Sequence, residues 1–467
     1  MSETQGERSE RLRVAFQTYG CRSNYADTID LQAALVERGA VPCELDAAAD
    51  VYVVNTCTVT NSADREALKL IRKIKSQQPG ARIVVTGCMA ESDGAGLADL
   101  VGEAGVVGPG RRSEVLAAIL GEPAVSEPQV RPVAEVHPSG RRARKALPER
   151  RSISLLNVLS PEIAGPGSTI GEVATRARYH LRVQEGCENA CTFCIIPHTR
   201  GRLSSRPIAA VVSDVRALYE RGYREIVLTG THLGGYGEDI GSSLVELLQE
   251  LRDDAVPLRI RLSSIDPNDV SEELLDVMAS DERFCRHLHI CVQAFTDRTL
   301  KRMNRRYHLE QAIDILSLTA ERLPDVCIGS DLICGFPGET REEVEQGIET
   351  FLQLPIAYLH VFPYSERSNT AATRLDGPVP LPERRRRAAR WRALQRRQRE
   401  AYYTSLAGRS LAVIVERHDE EFLYGTSSEF ASVKVARQGA RRTAALGSLV
   451  EATAVRCDPQ DGLLEAR

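Results

Sequence analysis

The chain has 467 residues and no apolar run long enough to span a bilayer. Its N-terminal stretch, MSETQGERSERLR, is polar and lacks the apolar core of a secretory signal. Both absences lead to the expectation of a cytoplasmic protein with no membrane partner. Net charge is scarce as well. Sixty Lys and Arg stand against 64 Asp and Glu, a balance of −4, so whole-protein charge announces no polyanion partner. The apolar share, 42%, is near the globular norm and excludes long-range disorder. At roughly 150 residues per domain, about three domains are expected.

Cysteine is not scarce. There are 12, and in a reducing compartment clustered cysteines favour metal binding or catalysis over disulfides. Six sit in short motifs. Cys43, Cys285, Cys291, Cys327, Cys334 and Cys457 are scattered and read as small buried hydrophobes.

Over 12–125, RVAFQTYG, DVYVVNTC and ARIVVTGC read as strands. Helical patterns run from about Asp27 to Arg38 and from Ala63 to Ser76. Strands separated by helices predict an α/β domain with a doubly wound parallel sheet. Residues 126–176 are rich in Pro, Gly, Ser and Arg, have little periodicity, and read as a linker. Arg141, Arg142, Arg144 and Lys145 within it read as a solvated charge run. Over 177–403 the alternation resumes with YHLRVQEG, EIVLTG, LRIRLSS, HLHICVQ, VCIGSDLICG and YLHVFPYS. Six β/α units predict a partial (β/α)6 barrel with its chemistry at the strand C-termini. A basic helix follows at about 382–403, with nine arginines in 384–399. Residues 404–467 carry short apolar runs between Gly and polar turns, which suits a small antiparallel β-barrel of the OB-like kind.

The first barrel strand leads into EGCENACTFCIIP, where Cys187, Cys191 and Cys194 are spaced C-x3-C-x2-C. Thiolates are the usual ligands of a [4Fe–4S] cluster. Three cysteines hold three irons, so the fourth is open to an amine and carboxylate such as those of S-adenosylmethionine. An electron passed into the sulfonium would break a C–S bond and release a 5′-deoxyadenosyl radical. The cofactor supplies that chemistry and the barrel supplies position and shelter. Zinc or a redox pair are the competing readings of Cys191 and Cys194. Zinc wants four ligands, and no second pair lies at finger-like spacing.

Thr229, Gly230 and Thr231 end the second barrel strand, where a glycine lets a cofactor approach closely. Ser263, Gln293 and Asp331 sit at or near later strand ends and are further candidate cofactor contacts. For each, an ordinary strand-end cap is the competing role. His287 and His289 share a strand face and read as packing or supporting residues. GFPGET (335–340) reads as a turn and helix start. Cys21, Cys57 and Cys88 fall at the ends of the first three strands, on the one edge where parallel sheets bind ligands. Three thiolates converging there point to a second open cluster.

Taken together, YGCRSN, NTCTVTNSADR, VTGCMA, EGCENACTFCIIPHTRG, LTGTHLGGYG, LKRMNRRY, DLICGFPGET and HVFPYSERSNT resemble the radical S-adenosylmethionine methylthiotransferases. The match runs in order along nearly the whole chain, and YGCRSN and NTCTVTNSADR look most like the threonylcarbamoyladenosine branch. The resemblance implies a transferase with two [4Fe–4S] clusters that uses S-adenosylmethionine both as methyl donor and as radical source. It implies that Cys187, Cys191 and Cys194 hold the radical cluster and that Cys21, Cys57 and Cys88 hold an auxiliary cluster delivering sulfur. It implies a C-terminal TRAM domain, tRNA at its anticodon loop as partner, and an electron donor and a sulfur donor. Sister branches act on isopentenyladenosine or on a ribosomal protein side chain. A non-catalytic RNA-binding iron–sulfur protein is a further alternative, which the complete cluster loop disfavours. The chain departs from the family pattern at Gln293-Ala294-Phe295-Thr296, where Gln-Ser-Gly-Ser is usual, and at Ser368-Asn369, where Pro-Gly is usual.

Overall fold

The structure, a computed structural model, describes residues 11–20, 22–58, 61–123, 177–458 and 461–467. Cys21, and the expected linker 126–176 with its four basic residues, lie outside the described residues. The described chain falls into two compact units, one over 11–123 and one over 177–467.

The first unit runs β1 (Arg13–Thr18), α1 (Arg22–Glu37), β2 (Val41–Cys43), β3 (Val51–Thr56), α2 (Asn61–Gln77) and β4 (Arg82–Gly87). It continues through α3 (Cys88–Ser92), α4 (Gly94–Val101) and α5 (Arg112–Leu120). The strands pair in parallel in the order β2-β1-β3-β4. Alternate residues serve opposite faces. Val14, Val53 and Val84 pack with Leu35 of α1 and Ile119 of α5. Ala15, Val54 and Val85 pack with Ile71 of α2 and Leu97 of α4. The sheet is therefore covered on both faces, and central β3 is buried at every residue. Edge strand β2, only three residues around Pro42, has no alternation to betray it in the sequence.

The second unit begins with β5 (Tyr179–Arg182), β6 (Gln184–Glu185), α6 (Ile196–Thr199), β7 (Ser204–Ser205), α7 (Ile208–Glu220), β8 (Glu225–Thr229) and α8 (Leu244–Asp253). Next come β9 (Arg259–Leu262), β10 (Ser264–Ile265), α9 (Glu272–Ala279), β11 (His287–Ile290), α10 (Asp297–Arg302) and α11 (Leu309–Arg322). The barrel part closes with β12 (Cys327–Cys334), α12 (Arg341–Gln353) and β13 (Tyr358–Pro363). Strands β5-β8-β9 and β10-β11-β12-β13 pair in parallel, and a parallel bridge from Ile260 to Phe284 joins the two groups. Because β9 and β10 are one run interrupted at Ser263, six strands stand in sequential order, as a partial barrel requires. Capping boxes at Ser243/Glu246 and Thr340/Glu343 start α8 and α12.

Helix α13 (Leu381–Ser405) leads into β14 (Ser410–His418), β15 (Phe422–Ser427), β16 (Ser432–Ala436), β17 (Leu449–Cys457) and β18 (Leu464–Ala466). These five strands close into a barrel filled by Val413, Val415, Leu423, Val433, Val435 and Leu464. Its pairs are antiparallel except β16 with β18, which is parallel.

Buried charge ties this tail barrel to the parallel sheet. Glu225, which is 0% exposed, accepts from Arg261 Nε at 2.8 Å and Arg259 Nε at 2.9 Å. Arg261 also donates to the carbonyls of Ser427 at 2.9 Å and Ser428 at 3.0 Å, and Arg259 to those of Ala412 and Thr426. Arg178 bridges Glu225 and Glu416. Burial by itself would raise the Glu225 carboxyl; Arg261, Arg259 and Arg178 instead bring it down to about 2. The network sits where β8 and β9 begin, so the tail packs against strand starts, while the cluster loop follows a strand end.

Candidate functional site

The loop after β6 is shaped by Gly186. Its φ is +76°, and a Cβ there would collide with the Arg202 carbonyl. Cys187 N donates to Gly201 O at 3.2 Å and Cys194 N to Cys191 O at 3.0 Å. The loop is seated on the turn after α10. Thr192 donates from N to Met303 O at 3.0 Å and from Oγ1 to Arg302 O at 2.9 Å, and Asn304 Nδ2 donates to Ala190 O at 2.8 Å. All three thiols are partly exposed. Cys187 Sγ accepts from Asn189 N at 3.4 Å, and Cys191 Sγ accepts from Arg305 Nη1 at 3.2 Å. Burial pushes the Cys187 thiol up to about 11, so metal uptake at neutral pH must release its proton.

The expected cofactor contacts lie on neighbouring strand ends. Thr229 ends β8, Thr231 follows two residues on, and Ser263 separates β9 from β10. The hydroxyls of all three are buried without a hydrogen-bond partner. Buried, unpaired hydroxyls are costly, and three around one strand edge fit the polar groups of an incoming ligand. A Cβ on Gly230 would stand 2.7 Å from Gln184 Oε1 and 3.1 Å from Leu233 Cα, so only glycine lets this turn close. Gln184 joins the turn to the loop: Oε1 accepts from His232 N at 2.8 Å, and Nε2 donates to Gly186 O at 2.7 Å. His232 Nε2 in turn meets Asp269 at 2.8 Å and Asn189 at 3.3 Å. Burial would lower the His232 pKa, but Asp269 holds it above its ordinary value.

Gln293 lies past β11 with φ +71°, its backbone bridged to β12 through Asp331 O and Ile333 N at 3.0 Å each. Asp331 is no strand-end cap. It sits within β12, where Oδ1 meets His289 Nε2 at 2.9 Å and His360 Nδ1 at 3.3 Å, and Oδ2 accepts from Cys291 Sγ at 3.3 Å. Burial would raise this carboxyl; His289 and His360 hold it well below the usual carboxylate range. Tyr358 Oη lies 3.0 Å from His289 Nδ1 and 2.9 Å from His287 Nε2, so a hydrogen-bonded wire runs from Asp331 through His289 and Tyr358 to His287. Donor atoms of His289, Cys291 and Asp331 lie within 4.8 Å of one another, yet each already has a partner in this wire. Cys43, Cys291 and Cys457 are partly exposed, and only Cys285, Cys327 and Cys334 are the buried hydrophobes expected.

In the first unit the pairing of Thr56 with Gly87 puts Cys57 and Cys88 side by side, both buried. Gly20, with φ +97°, closes onto Cys57: a Cβ there would collide with the Cys57 Sγ. Asn24 Nδ2 donates to Tyr19 O and Thr56 O at 2.8 Å each, holding two strand ends together. The structure thus unites two of the three cysteines expected on this edge.

Comparison with known proteins agrees with this geometry. Residues 13–108 match the Uncharacterized protein family UPF0004, and residues 181–351 match the Radical SAM superfamily. The Threonylcarbamoyladenosine tRNA methylthiotransferase MtaB of Bacillus subtilis is 36% identical over 87% of this chain and 86% of its own length. That of Aquifex aeolicus is 35% identical over 86% and 93%. The chain belongs to the radical S-adenosylmethionine methylthiotransferase family. The tRNA-2-methylthio-N(6)-dimethylallyladenosine synthase of Desulfitobacterium hafniense, at 30% identity over 86% of each chain, is a further relative. Among solved structures, the radical S-adenosylmethionine methyltransferase TsrM of Kitasatospora setae aligns at TM-score 0.51 over 76% of this chain and 72% of its own. At 19% identity, it shows shared fold alone.

Both departures from the methylthiotransferase pattern have structural causes. Phe295 is buried, stacked at 5.7 Å on Trp391 and tilted at 5.7 Å against Phe351. It fills the core beneath α12 and α13. Asn369 has φ +67°, the left-handed conformation that glycine serves and that asparagine tolerates.

Several arginines of the basic helix α13 are engaged within the fold. Arg384 and Arg387 are buried: Arg384 donates to Glu366 at 2.6 Å and Tyr364 O at 3.0 Å, and Arg387 to Glu339 at 2.6 Å and Glu383 at 2.9 Å. Arg386 pairs with Glu383, Arg390 with Glu345, and Arg392 donates to Val361 O. Arg384, Arg387, Arg390 and Arg392 tie α13 to other elements, and Arg386 pairs within the helix. Arg385, Arg396 and Arg397 are exposed, with no carboxylate partner among the described residues. Sequence reasoning also assigned no role to Arg305, Asp266, Gln184 or His232. Arg305 and His232 lie in LKRMNRRY and LTGTHLGGYG, but their partners are far away in sequence.

Proposed function

We infer that this methylthiotransferase modifies tRNA, replacing the C2 hydrogen of N6-threonylcarbamoyladenosine 37 with a methylthio group. The carrying observation is the pairing of a C-x3-C-x2-C loop at a barrel strand end with relatives of the threonylcarbamoyladenosine branch at 36% and 35% identity. Dimethylallyladenosine synthases from four organisms reach 30–32%.

In this reading Cys187, Cys191 and Cys194 hold a [4Fe–4S] cluster, and S-adenosylmethionine bound there supplies the radical needed to open an unactivated C–H bond. The hydroxyls of Thr229, Thr231 and Ser263 receive polar groups of that cofactor, and Gly230 lets the turn that carries them close against Gln184. Asp331, whose carboxyl His289 and His360 hold well below the usual carboxylate range, is a further contact for that cofactor, with Gln293 bridged to its strand. Cys21, Cys57 and Cys88 hold the auxiliary [4Fe–4S] cluster from which sulfur is delivered. The domains are the methylthiotransferase domain over 12–125, a linker over 126–176, the radical domain over 177–403 and a TRAM domain over 404–467. The protein acts in the cytoplasm on the unpaired bases of the anticodon loop. An electron donor and a sulfur donor complete the set of partners.

The test is nucleoside mass spectrometry of tRNA from strains with and without the gene. Loss of 2-methylthio-N6-threonylcarbamoyladenosine, with accumulation of its unthiolated precursor, is expected. Loss of the isopentenyl derivative, or of a methylthiolated ribosomal protein, would move the enzyme to a sister branch.

A further inference from the structure

Arg305 ties a cysteine of the cluster loop to the ends of two barrel strands. Its Nη1 donates to Cys191 Sγ at 3.2 Å. Its Nη2 donates to Asp266, just past β10, and to the carbonyl of Cys291, just past β11, at 3.2 Å. Its Nε lies 3.1 Å from the Tyr307 hydroxyl, which itself donates to Val292 O at 2.6 Å. The Tyr307 ring lies 5.0 Å from the guanidinium carbon. The Arg305 side chain is 6% exposed. A planar fork occupied on every nitrogen and shielded from water has one geometry, so its bond to Cys191 is built in. The same stretch, through Arg302, Met303 and Asn304, seats Ala190 and Thr192 on either side of Cys191.

We propose that Arg305 is a positioning residue that raises the reduction potential of the cluster held by Cys187, Cys191 and Cys194. The proposal rests on that cluster assignment. Two effects act in the same direction. An N–H donated to a ligand sulfur draws charge from it and favours the reduced state. A cation held in a poorly solvated site also stabilises an added electron. Asp266 offsets part of the cation's charge and, by holding Nη2, keeps Nη1 aimed at the sulfur.

The experiment uses the full-length chain with Cys21, Cys57 and Cys88 changed to Ala, so that one cluster contributes to the signal. This parent, R305Q and R305K are loaded with iron and sulfide anaerobically. Iron content, the electron paramagnetic resonance spectrum of the reduced state, and the midpoint potential are measured. R305Q should retain iron but show about a tenfold lower reduced-to-oxidised ratio at the parent's midpoint, about 59 mV for a one-electron couple. R305K keeps the charge and loses the fork, so its midpoint should fall by less and its spectrum should change. If R305Q sheds iron, R305K carries the test. Unchanged midpoints and spectra in iron-loaded variants overturn the proposal, as does loss of iron from both, which would leave Arg305 only a loop anchor. A parent that binds no iron overturns the cluster assignment beneath it.

Discussion

Replacing Arg261 with Met should cost the folded chain about 3–5 kcal/mol at neutral pH, the usual loss when one partner of a buried ion pair is removed. Glu225 and Arg261 are both 0% exposed at their side chains, and Arg261 also satisfies the carbonyls of Ser427 and Ser428 in the tail barrel. Met keeps the aliphatic stem of Arg261 but leaves Glu225 with Arg259 and the half-buried Arg178, and strands two carbonyls. Acid gives an independent handle. Burial opposes the charge on Glu225, and its cationic partners, Arg261 foremost, overcome that and lower its pKa from 4.5 to about 2. At 1.36 kcal/mol per pKa unit, the drop corresponds to about 3 kcal/mol. Because the folded pKa is the lower one, this stability is present above pH 4.5 and is lost as pH falls from 4.5 through about 2. R261M should flatten that acid limb. The assay is urea unfolding followed by the single tryptophan, Trp391, which is buried in α13 within this unit. A loss below about 1 kcal/mol at pH 7 with an unchanged acid limb would refute the reasoning. The same contacts mean that deleting the tail from about 405 should destabilise the parallel barrel, so point changes are the cleaner probe.

Anaerobically reconstituted protein should hold about eight irons, and changing Cys187, Cys191 and Cys194 to Ala should halve this and abolish 5′-deoxyadenosine formation; a wild-type chain with four irons would refute two clusters. Changing Cys21, Cys57 and Cys88 to Ala should leave S-adenosylmethionine cleavage measurable and eliminate the methylthio product, and product at the wild-type rate would exclude these cysteines as the sulfur site. Charge reversal at Arg385, Arg396 and Arg397 should weaken tRNA binding and reduce the salt slope by about 0.7 per lost phosphate contact, whereas unchanged affinity and slope would assign these arginines to solvation. The same reversal at Arg384 and Arg387 should unfold rather than merely weaken, and thermal denaturation separates the two effects.

The elements that the sequence announced are those whose signals are local. The six barrel strands are short apolar runs followed by helical periodicity, and the cluster loop is a ligand spacing within eight residues, so neither needs knowledge of distant neighbours. Gly335 and Thr340 mark a turn and a helix cap for the same reason, and the structure has a positive φ at one and a capping box at the other. Strands β2 and β18, three residues each, are too short to show alternation, and the pleat of neighbouring strands alone defines them. Nine arginines at helical spacing could not reveal which would turn inward, because Glu339, Glu345 and Glu366 come from other elements. Arg305 and Cys191 are 114 positions apart, and His289 and Asp331 are 42 apart. Such pairs exist only because a parallel barrel gathers its strand ends at one rim. The sequence by itself determined which chemistry the loops could carry, through residue types and short spacings. Tertiary structure decided which charges are spent on holding the fold and which remain for a ligand, because burial and the company of distant side chains are set only when the strands close.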